Sequence, residues 1–229
     1  MRYDNIRKAT FLSRPNRFVA NVALDNQEIP VHVKNTGRCR ELLIPGAEVW
    51  LTEPGTPGRK YAYDLVAVKK KNGLLINIDS QAPNQVAREW LMSQGYDQII
   101  PEYRYGESRI DFMMRRGSEQ YLMEVKGCTL EVDGIGYFPD APTERGVRHL
   151  HELIKAAQES YRPMLAFVIQ MDGVKTVRAN VDTHPEFGAA LEEAKSAGVQ
   201  VVYLPCHVEP DGLTPIRMRK QPRRGSREA

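Results

Sequence analysis

The stretch RIDFMMRRGSEQYLMEVKG, residues 109–127, reads as two β-strands joined by a tight turn at Gly117-Ser118. Glycine accepts the positive φ that a type II′ turn needs at its first central position, so we expect a two-residue hairpin. Arg116 would then face Glu119. One face of this hairpin would be apolar and would pack on the core: it carries Ile110, Phe112, Met114, Tyr121, Met123 and Val125.

The other face would gather three charged side chains. Asp111 lies opposite Glu124 in this register, and opposed residues of an antiparallel pair lie about 5 Å apart on the same face. Lys126 joins them because it is two residues beyond Glu124. Facing carboxylates repel each other, and a divalent cation such as Mg²⁺, which prefers oxygen ligands, would remove that penalty. Two interpretations stay open: a solvated sheet face, or a metal site that activates water against a phosphodiester.

Composition and cysteine usage narrow the class of protein. The chain has 229 residues, 41% of them hydrophobic and 27% charged, as in ordinary globular proteins. The N-terminal residues contain no apolar leader, and no apolar run approaches the roughly 20 residues that span a bilayer. Widely spaced cysteines at Cys39, Cys128 and Cys206 are typical of reduced thiols. We therefore expect a cytoplasmic protein without a membrane partner or a disulfide-linked partner.

Residues 1–80 read as the short strands of a small all-β barrel. Strand-like segments flank Asp25-Asn26 and Asn72-Gly73, two dipeptides that mark tight hairpin turns. No segment of this region has a convincing helical pattern. An OB-like barrel is a common nucleic-acid-binding fold of this kind, although any small barrel would fit the same pattern.

Residues 81–215 read as an α/β domain. The predicted elements follow the order α-β-β-β-α-β-α-β, which indicates a mixed sheet with helices on its faces. Asn84 is placed to cap the first helix, and the second helix begins at Thr143. Helical spacing predicts that the apolar stripe of this second helix consists of Val147, Leu150, Ile154 and Ala157.

Basic residues form two candidate surfaces for nucleic acid and a tail. The first surface lies on the second helix, opposite its apolar stripe, and consists of Arg145, Arg148 and His149. The second surrounds a turn of the barrel and consists of Lys34, Arg38 and Arg40. Such residues contact phosphates without reading base sequence. Solvated side chains on a helix face and a β-turn are the alternative. Residues 216–229 form a basic tail that we expect to be flexible.

Four motifs together resemble the sugar fermentation stimulation protein A family. VHVKNTGRCRELLIPGAEVWL is similar to the first-domain signature of that family. The segments ESRIDFMM, YLMEVKGCTL and GYFPDAPTERGVRHLHEL are similar to its second-domain signatures, in the same order and with nearly the same spacing. The resemblance extends from about residue 5 to residue 210 and excludes the basic tail.

The resemblance implies an N-terminal OB-like domain joined to a restriction-endonuclease-like domain of the PD-(D/E)xK type. It implies that Asp111 is the nuclease-type aspartate and that Glu124 and Lys126 form the ExK pair. Ile110 stands where the motif has a proline, a departure at a variable position. The family is associated with non-specific DNA binding and with regulation of sugar-utilisation genes in prokaryotes, so DNA is the expected partner.

The sequence thus supports two compatible functions and one rival. The first is backbone binding of DNA through the two basic surfaces. The second is a Mg²⁺- or Mn²⁺-dependent nuclease, in which Asp111 and Glu124 hold the metal and Lys126 acts at the attacking water. The rival is a scaffold or transcriptional co-regulator whose nuclease fold has lost its activity.

Overall fold

The computed structural model describes residues 1–35 and 37–216. The chain folds into an N-terminal β-barrel and a C-terminal α/β domain, which confirms the predicted division into two domains at that level. Thr36 in the barrel loop and the predicted tail beyond Ile216 lie outside the described residues.

The barrel is a ring of five strands extended by a short sixth. Their bounds are β1 (Ile6–Asn16), β2 (Val19–Leu24), β3 (Gln27–Val33), β4 (Glu48–Thr52), β5 (Asp64–Lys69) and β6 (Leu75–Asn77). The strand order is β3-β2-β1-β4-β5-β6, and adjacent strands pair antiparallel. A parallel pairing of β3 with β5 closes the ring. Asp25 and Asn26 join β2 to β3 at φ values of 51° and 63°, as a tight hairpin turn requires.

The second domain is built on a mixed sheet in the order β15-β14-β12-β9-β8-β7. Strands β9, β12 and β14 are parallel, and the others pair antiparallel. A smaller sheet contains β10, β11 and β13. The bounds of the elements are α1 (Ala82–Met92), β7 (Gln98–Tyr105), β8 (Ser108–Arg116), β9 (Glu119–Cys128), β10 (Leu130–Val132), β11 (Ile135–Phe138), α2 (Glu144–Gln158), β12 (Arg162–Ile169), β13 (Val177–Ala179), α3 (Pro185–Ser196), β14 (Gln200–Glu209) and β15 (Gly212–Pro215).

Helices cover both faces of the larger sheet. Helix α1 packs in a core cluster that includes Met114 and Met123, whereas α2 and α3 pack in a second cluster that includes Leu122. The β8–β9 hairpin is therefore buried on both faces, and the interpretation of its charged side as a solvated face is wrong. The alternation predicted that Ile110 and Phe112 share one face, but Ile110 packs in the α2 cluster and Phe112 in the α1 cluster. No helix in the two described ranges is long and apolar enough to cross a bilayer.

The buried face of α2 differs from the predicted stripe. The fully buried residues of this helix are Gly146, His149, Leu150, Leu153 and Ala156. The prediction treated histidine as polar and assigned His149 to the outer face. The neutral imidazole has an apolar ring, and its nitrogens have hydrogen-bonding partners in the fold, so it is buried.

Cysteines contribute to the core and form no cross-link. Cys39, Cys128 and Cys206 are buried free thiols. Burial raises the pKa of each thiol to about 12. Because the thiolate is the reactive form, these side chains are poor nucleophiles at neutral pH.

A buried glutamine joins the two domains. Gln170 follows β12 and is 2% exposed. Its Nε2 donates to Oδ1 of Asn77 at 2.9 Å and to the carbonyl oxygens of Asn77 and Asp79 at 3.1 Å each. The first residues of the chain also reach the second domain, because the Met1 ammonium donates to the Leu213 carbonyl oxygen at 2.7 Å. Hydrogen bonds between the domains, in which each donor has an acceptor, hold the domains in one arrangement.

Candidate metal centre and interdomain cleft

The β8–β9 hairpin follows the predicted register for most of its length. Paired residues run from Arg116 and Glu119 beside the turn to Phe112 and Met123. The regular pairing ends there, one residue before Asp111. The hairpin opens at this point, which frees backbone groups of β9 for side-chain partners.

Asp111 is held in this opening by two donors. Its Oδ2 accepts a hydrogen bond from the backbone N–H of Val125 at 2.7 Å, and its Oδ1 accepts from Nδ2 of Asn84 at 2.9 Å. Asn84 was predicted to cap α1, but the cap position is Gln81 and no side chain caps the helix. Burial and the nearby charge of Glu124 raise the pKa of the Asp111 carboxyl. The carboxylate is therefore well positioned but short of positive charge.

Glu124 is the most deeply buried acid of the cluster, at 2% exposure. Its Oε1 accepts from Nζ of Lys126 at 2.5 Å and contacts Nδ1 of His149. Its Oε2 is buried and has no hydrogen-bonding partner among residues 1–35 and 37–216. Burial raises the pKa of this carboxyl, but the contacts with His149 and Lys126 outweigh it, so the pKa lies below its usual value. Glu124 is thus ionised with one oxygen available to a ligand.

His149 belongs to this acid cluster and not to an exposed basic row. It is 8% exposed, and its Nδ1 lies 3.3 Å from Nζ of Lys126. Its Nε2 accepts a hydrogen bond from Nε of Arg145 at 3.3 Å. With Nε2 accepting, Nδ1 carries the proton and donates to Glu124. The structure therefore places His149 behind the acids, where it orients Glu124.

The donor set fits a divalent cation that keeps part of its water shell. No group of three His, Cys, Asp or Glu side chains suited to a metal occurs among residues 1–35 and 37–216. A cation here would have two carboxylates from the protein, Asp111 and Glu124. Mg²⁺ is usually bound by one or two carboxylates and several waters, so two acids are sufficient. The unpartnered buried oxygen of Glu124 is the observation that favours such a ligand.

Four of the predicted phosphate-contacting arginines are exposed and form no ion pair with a described carboxylate: Arg38, Arg40, Arg145 and Arg148. Lys34 is placed differently. Its Nζ lies 3.0 Å from Oδ2 of Asp79 and 3.8 Å from Oδ2 of Asp64, and both of these acids are buried. The ammonium of Lys34 therefore neutralises carboxylates inside the fold, and its expected contact with phosphate lacks structural support.

Two arginines that the sequence analysis missed, Arg14 and Arg17, lie beside the predicted ones. Arg14 donates to the carbonyl oxygens of Asn35, Gly37 and Arg38 at 2.7 to 3.0 Å and so holds the barrel loop. A pocket of about 310 Å³, the arginine pocket, is lined by Arg14, Asn16, Arg17, Gly37, Arg38, Arg40 and Leu43. The run SRPNR, residues 13–17, was a basic signal that could have indicated it.

The arginine pocket opens into a cavity between the domains. This interdomain cleft has a volume of about 560 Å³ and shares Arg17, Gly37 and Arg38 with the pocket. On the side of the second domain it is lined by Gly127, which directly follows Lys126, and by the segment 138–143. The basic barrel loop and the segment 138–143 thus line one cleft, and Gly127, which follows Lys126 of the acid cluster in β9, is part of its lining.

Comparison with known proteins agrees with this arrangement. A family model described as "Sugar fermentation stimulation protein RE domain" matches residues 81–212, and one described as "SfsA N-terminal OB domain" matches residues 12–78. The chain belongs to the sugar fermentation stimulation protein family. The resemblance drawn from the sequence motifs is confirmed, and the barrel is the OB domain of this family.

Curated members of the sugar fermentation stimulation protein family match nearly the whole chain. The homolog from Desulfitobacterium hafniense is 49% identical over 217 residues, which cover 93% of this chain and 94% of that protein. The homolog from Clostridium beijerinckii is 46% identical over 217 residues, which cover 93% of this chain and 96% of that protein. These relatives are bacterial proteins of the same extent.

A solved member of the family is similar in fold. The structure of Pyrococcus furiosus SfsA in complex with Ca²⁺ has a TM-score of 0.82 and 29% identity to this chain, and covers 95% of this chain and 98% of that one. The RE domain model spans Asp111, Glu124 and Lys126, whereas the OB domain model spans the arginine pocket. The acid cluster and the arginine pocket of this chain thus belong to different matched domains.

Proposed function

We propose that this protein binds DNA through the sugar-phosphate backbone without reading base sequence. The observation that carries the proposal is the arginine pocket, whose Arg17, Arg38 and Arg40 form no ion pair with a described carboxylate. By contrast, Arg7 and Arg59 of the same barrel contact Asp25 and Asp64. Cations that are not neutralised within the protein gain most from phosphates, since binding releases condensed counterions.

The salt dependence of binding tests this proposal. The affinity for a labelled DNA of random sequence should fall log-linearly with salt concentration. Arg38→Gln and Arg40→Gln should each reduce the slope by about one, because each removes one phosphate contact. Arg7→Gln is the matched control, since Arg7 is an exposed barrel arginine paired with Asp25. An affinity that does not change with salt would contradict the proposal.

A link to sugar-utilisation genes completes this first proposal. It is supported by the name shared by the curated relatives, sugar fermentation stimulation protein homolog. Binding without base readout suits a general DNA-associated regulator better than an operator-specific repressor. Such a protein would act in the cytoplasm, where bacterial DNA and reduced thiols occur.

A second function, metal-dependent cleavage of phosphodiester bonds, is favoured by Oε2 of Glu124, a buried oxygen without a partner. We propose that the second domain is of the PD-(D/E)xK nuclease type and that Asp111 and Glu124 hold Mg²⁺ or Mn²⁺. When bound, such a cation activates water and offsets charge on a phosphodiester. The Ca²⁺ complex of Pyrococcus furiosus SfsA supports a divalent-cation site in this fold.

Lys126 would act directly on the reacting groups. The side chain of Lys126 is 13% exposed, and its ammonium is held beside Oε1 of Glu124. A fixed positive charge stabilises the negative charge that develops on a phosphodiester during attack, and its N–H groups can orient the attacking water. His149 contacts the same oxygen of Glu124, which fixes the orientation of the acid.

Cleavage assays distinguish the two functions. Purified protein with Mn²⁺ or Mg²⁺ should degrade DNA or RNA substrates, and Glu124→Ala should abolish the activity. Glu107→Gln, at an exposed glutamate of the same domain, should leave it unchanged. Cleavage that survives in Glu124→Ala would identify a contaminating nuclease. DNA binding with no turnover in any metal would leave the binding function alone and indicate an inactive nuclease fold.

A further inference from the structure

The interdomain cleft has two chemically different walls. On the barrel side it is lined by the guanidinium groups of Arg17 and Arg38. On the side of the second domain it is lined by a largely apolar segment made of Phe138, Pro139, Ala141 and Pro142. One wall therefore suits phosphates, and the other suits flat apolar surfaces such as nucleobases.

The apolar wall is rigid. The ring of Phe138 packs edge-on against Phe187, with centroids 5.0 Å apart, and lies 5.7 Å from the ring of Phe167. Phe138 is nevertheless only half-buried, so part of it remains open to the cleft. An aromatic group that is already fixed loses little conformational entropy when a base stacks on it.

The cleft is narrow where the barrel loop meets this wall. A Cβ atom added to Gly37 would lie 2.4 Å from Oδ2 of Asp140, so the loop and the wall are in contact at that point. Asp140 adds a negative group there, and burial raises the pKa of its carboxyl. The nearby charges of Arg14 and Arg38 oppose that rise without cancelling it.

We propose that the interdomain cleft holds one single strand of DNA, with phosphates towards Arg17 and Arg38 and bases against Phe138. The strand would reach Gly127. A duplex stacks its bases inside and presents phosphates on both strands, so it would leave the apolar wall unused. This inference rests on the proposed DNA-binding function and specifies the form of DNA that enters the site.

Fluorescence anisotropy with one oligonucleotide in two forms tests the proposal. The probe is a labelled strand of about 16 nucleotides, the upper site size for one OB fold, alone or annealed to its complement. Each titration is made in EDTA so that no hydrolysis occurs. The single strand should bind at least about tenfold more tightly than the duplex, the size of effect that one stacked base can supply.

Two variants locate the binding. The double substitution Arg17→Gln with Arg38→Gln should weaken single-strand binding by about tenfold or more, through lost phosphate contacts. Ala141→Phe should fill the cleft and weaken binding of the single strand while leaving duplex binding unchanged. Arg7→Gln is the control for charge and should bind as the native protein does. Thermal unfolding of each variant verifies that it is folded.

The outcomes separate the inference from the function on which it rests. Duplex binding as tight as single-strand binding would overturn the strand preference and leave the DNA-binding function standing. Single-strand binding unaffected by Ala141→Phe and by the arginine pair would overturn the assignment to the cleft. Binding of neither form would overturn the DNA-binding function itself, and the strand preference with it.

Discussion

Two buried acid clusters in this chain contain the same residue types and differ in how completely their charges are paired. In the barrel, Lys34 lies 3.0 Å from Asp79 and 3.8 Å from Asp64. Asp64 also contacts Arg59 and lies 3.0 Å from Nδ1 of His32. Every acid of this barrel cluster is therefore matched by a nearby cation.

The cluster of the second domain lacks that balance. Asp111 and Glu124 share the single ammonium of Lys126, and the pKa of Asp111 is raised by burial and by the charge of Glu124. Oε2 of Glu124 has no hydrogen-bonding partner in the part of the chain that the structure describes. A buried acid that is fully paired contributes to the fold, whereas an acid left short of partners is positioned for a ligand. Residue types alone would not separate the two clusters.

The difference in charge pairing between the two clusters should have its largest effect on the free energy of unfolding of their variants. Asp64→Asn should lower the free energy of unfolding by about 3 kcal/mol, because it leaves Arg59 and Lys34 without their counter-charge. Glu124→Gln in EDTA should cost no more than about 1 kcal/mol, since it removes a charge that also repels Asp111. Urea unfolding of the two isosteric variants measures both values. Equal losses would show that charge pairing does not distinguish the clusters.

Addition of a divalent cation should stabilise the protein through the acid cluster of the second domain and not through the barrel cluster. A divalent cation at one hundred times its dissociation constant should stabilise the native protein by about 2.7 kcal/mol, if it binds only the folded state. Thermal unfolding with Mg²⁺ or Ca²⁺ against EDTA measures this increment. Glu124→Gln should lose most of it, and Asp64→Asn should keep it. An increment that survives in Glu124→Gln would place the cation elsewhere in the molecule.

The register of the hairpin was predictable because it depends on a local turn. Gly117-Ser118 fixes which residues of β8 and β9 face each other, and the observed pairs agree as far as Phe112 and Met123. The sequence did not reveal that the pairing would end before Asp111. At that opening Asp111 accepts from Asn84, which is 27 residues away in the chain and contacts Asp111 only in the folded protein.

The assignment of individual basic residues depended even more on distant contacts. Lys34 and Arg38 are equivalent in the sequence, as two cations beside one turn. In the fold, Lys34 pairs with Asp79, 45 residues further on, whereas Arg38 lines the cleft. His149 was assigned to the wrong face of α2 because a histidine buried against Glu124 has no local signal. Long-range pairing determines which charges remain available to a ligand.

The smallest predicted change in the free energy of unfolding is that of Asp111→Asn, and this substitution should stabilise the protein. Asp111→Asn should raise the free energy of unfolding in EDTA by about 0.5 to 1 kcal/mol, as commonly results when a strained functional charge is removed. The asparagine oxygen can still accept from the Val125 N–H, and the Asn84 amide has to turn over so that its oxygen accepts from the new amide group, while repulsion from Glu124 disappears. Urea unfolding measures the change.

The control for this substitution is Asp97→Asn. Asp97 also accepts a backbone N–H, that of Gly117 at 2.6 Å, but lies at the turn of the hairpin outside the acid cluster. The Asp97→Asn variant should lose a charge-assisted hydrogen bond, which should lower its free energy of unfolding by about 1 kcal/mol. If Asp111→Asn were instead destabilised as much as Asp97→Asn, the Asp111 carboxylate would be an ordinary structural acceptor. Its buried charge would then not be held for a cation, whatever the state of Oε2 of Glu124.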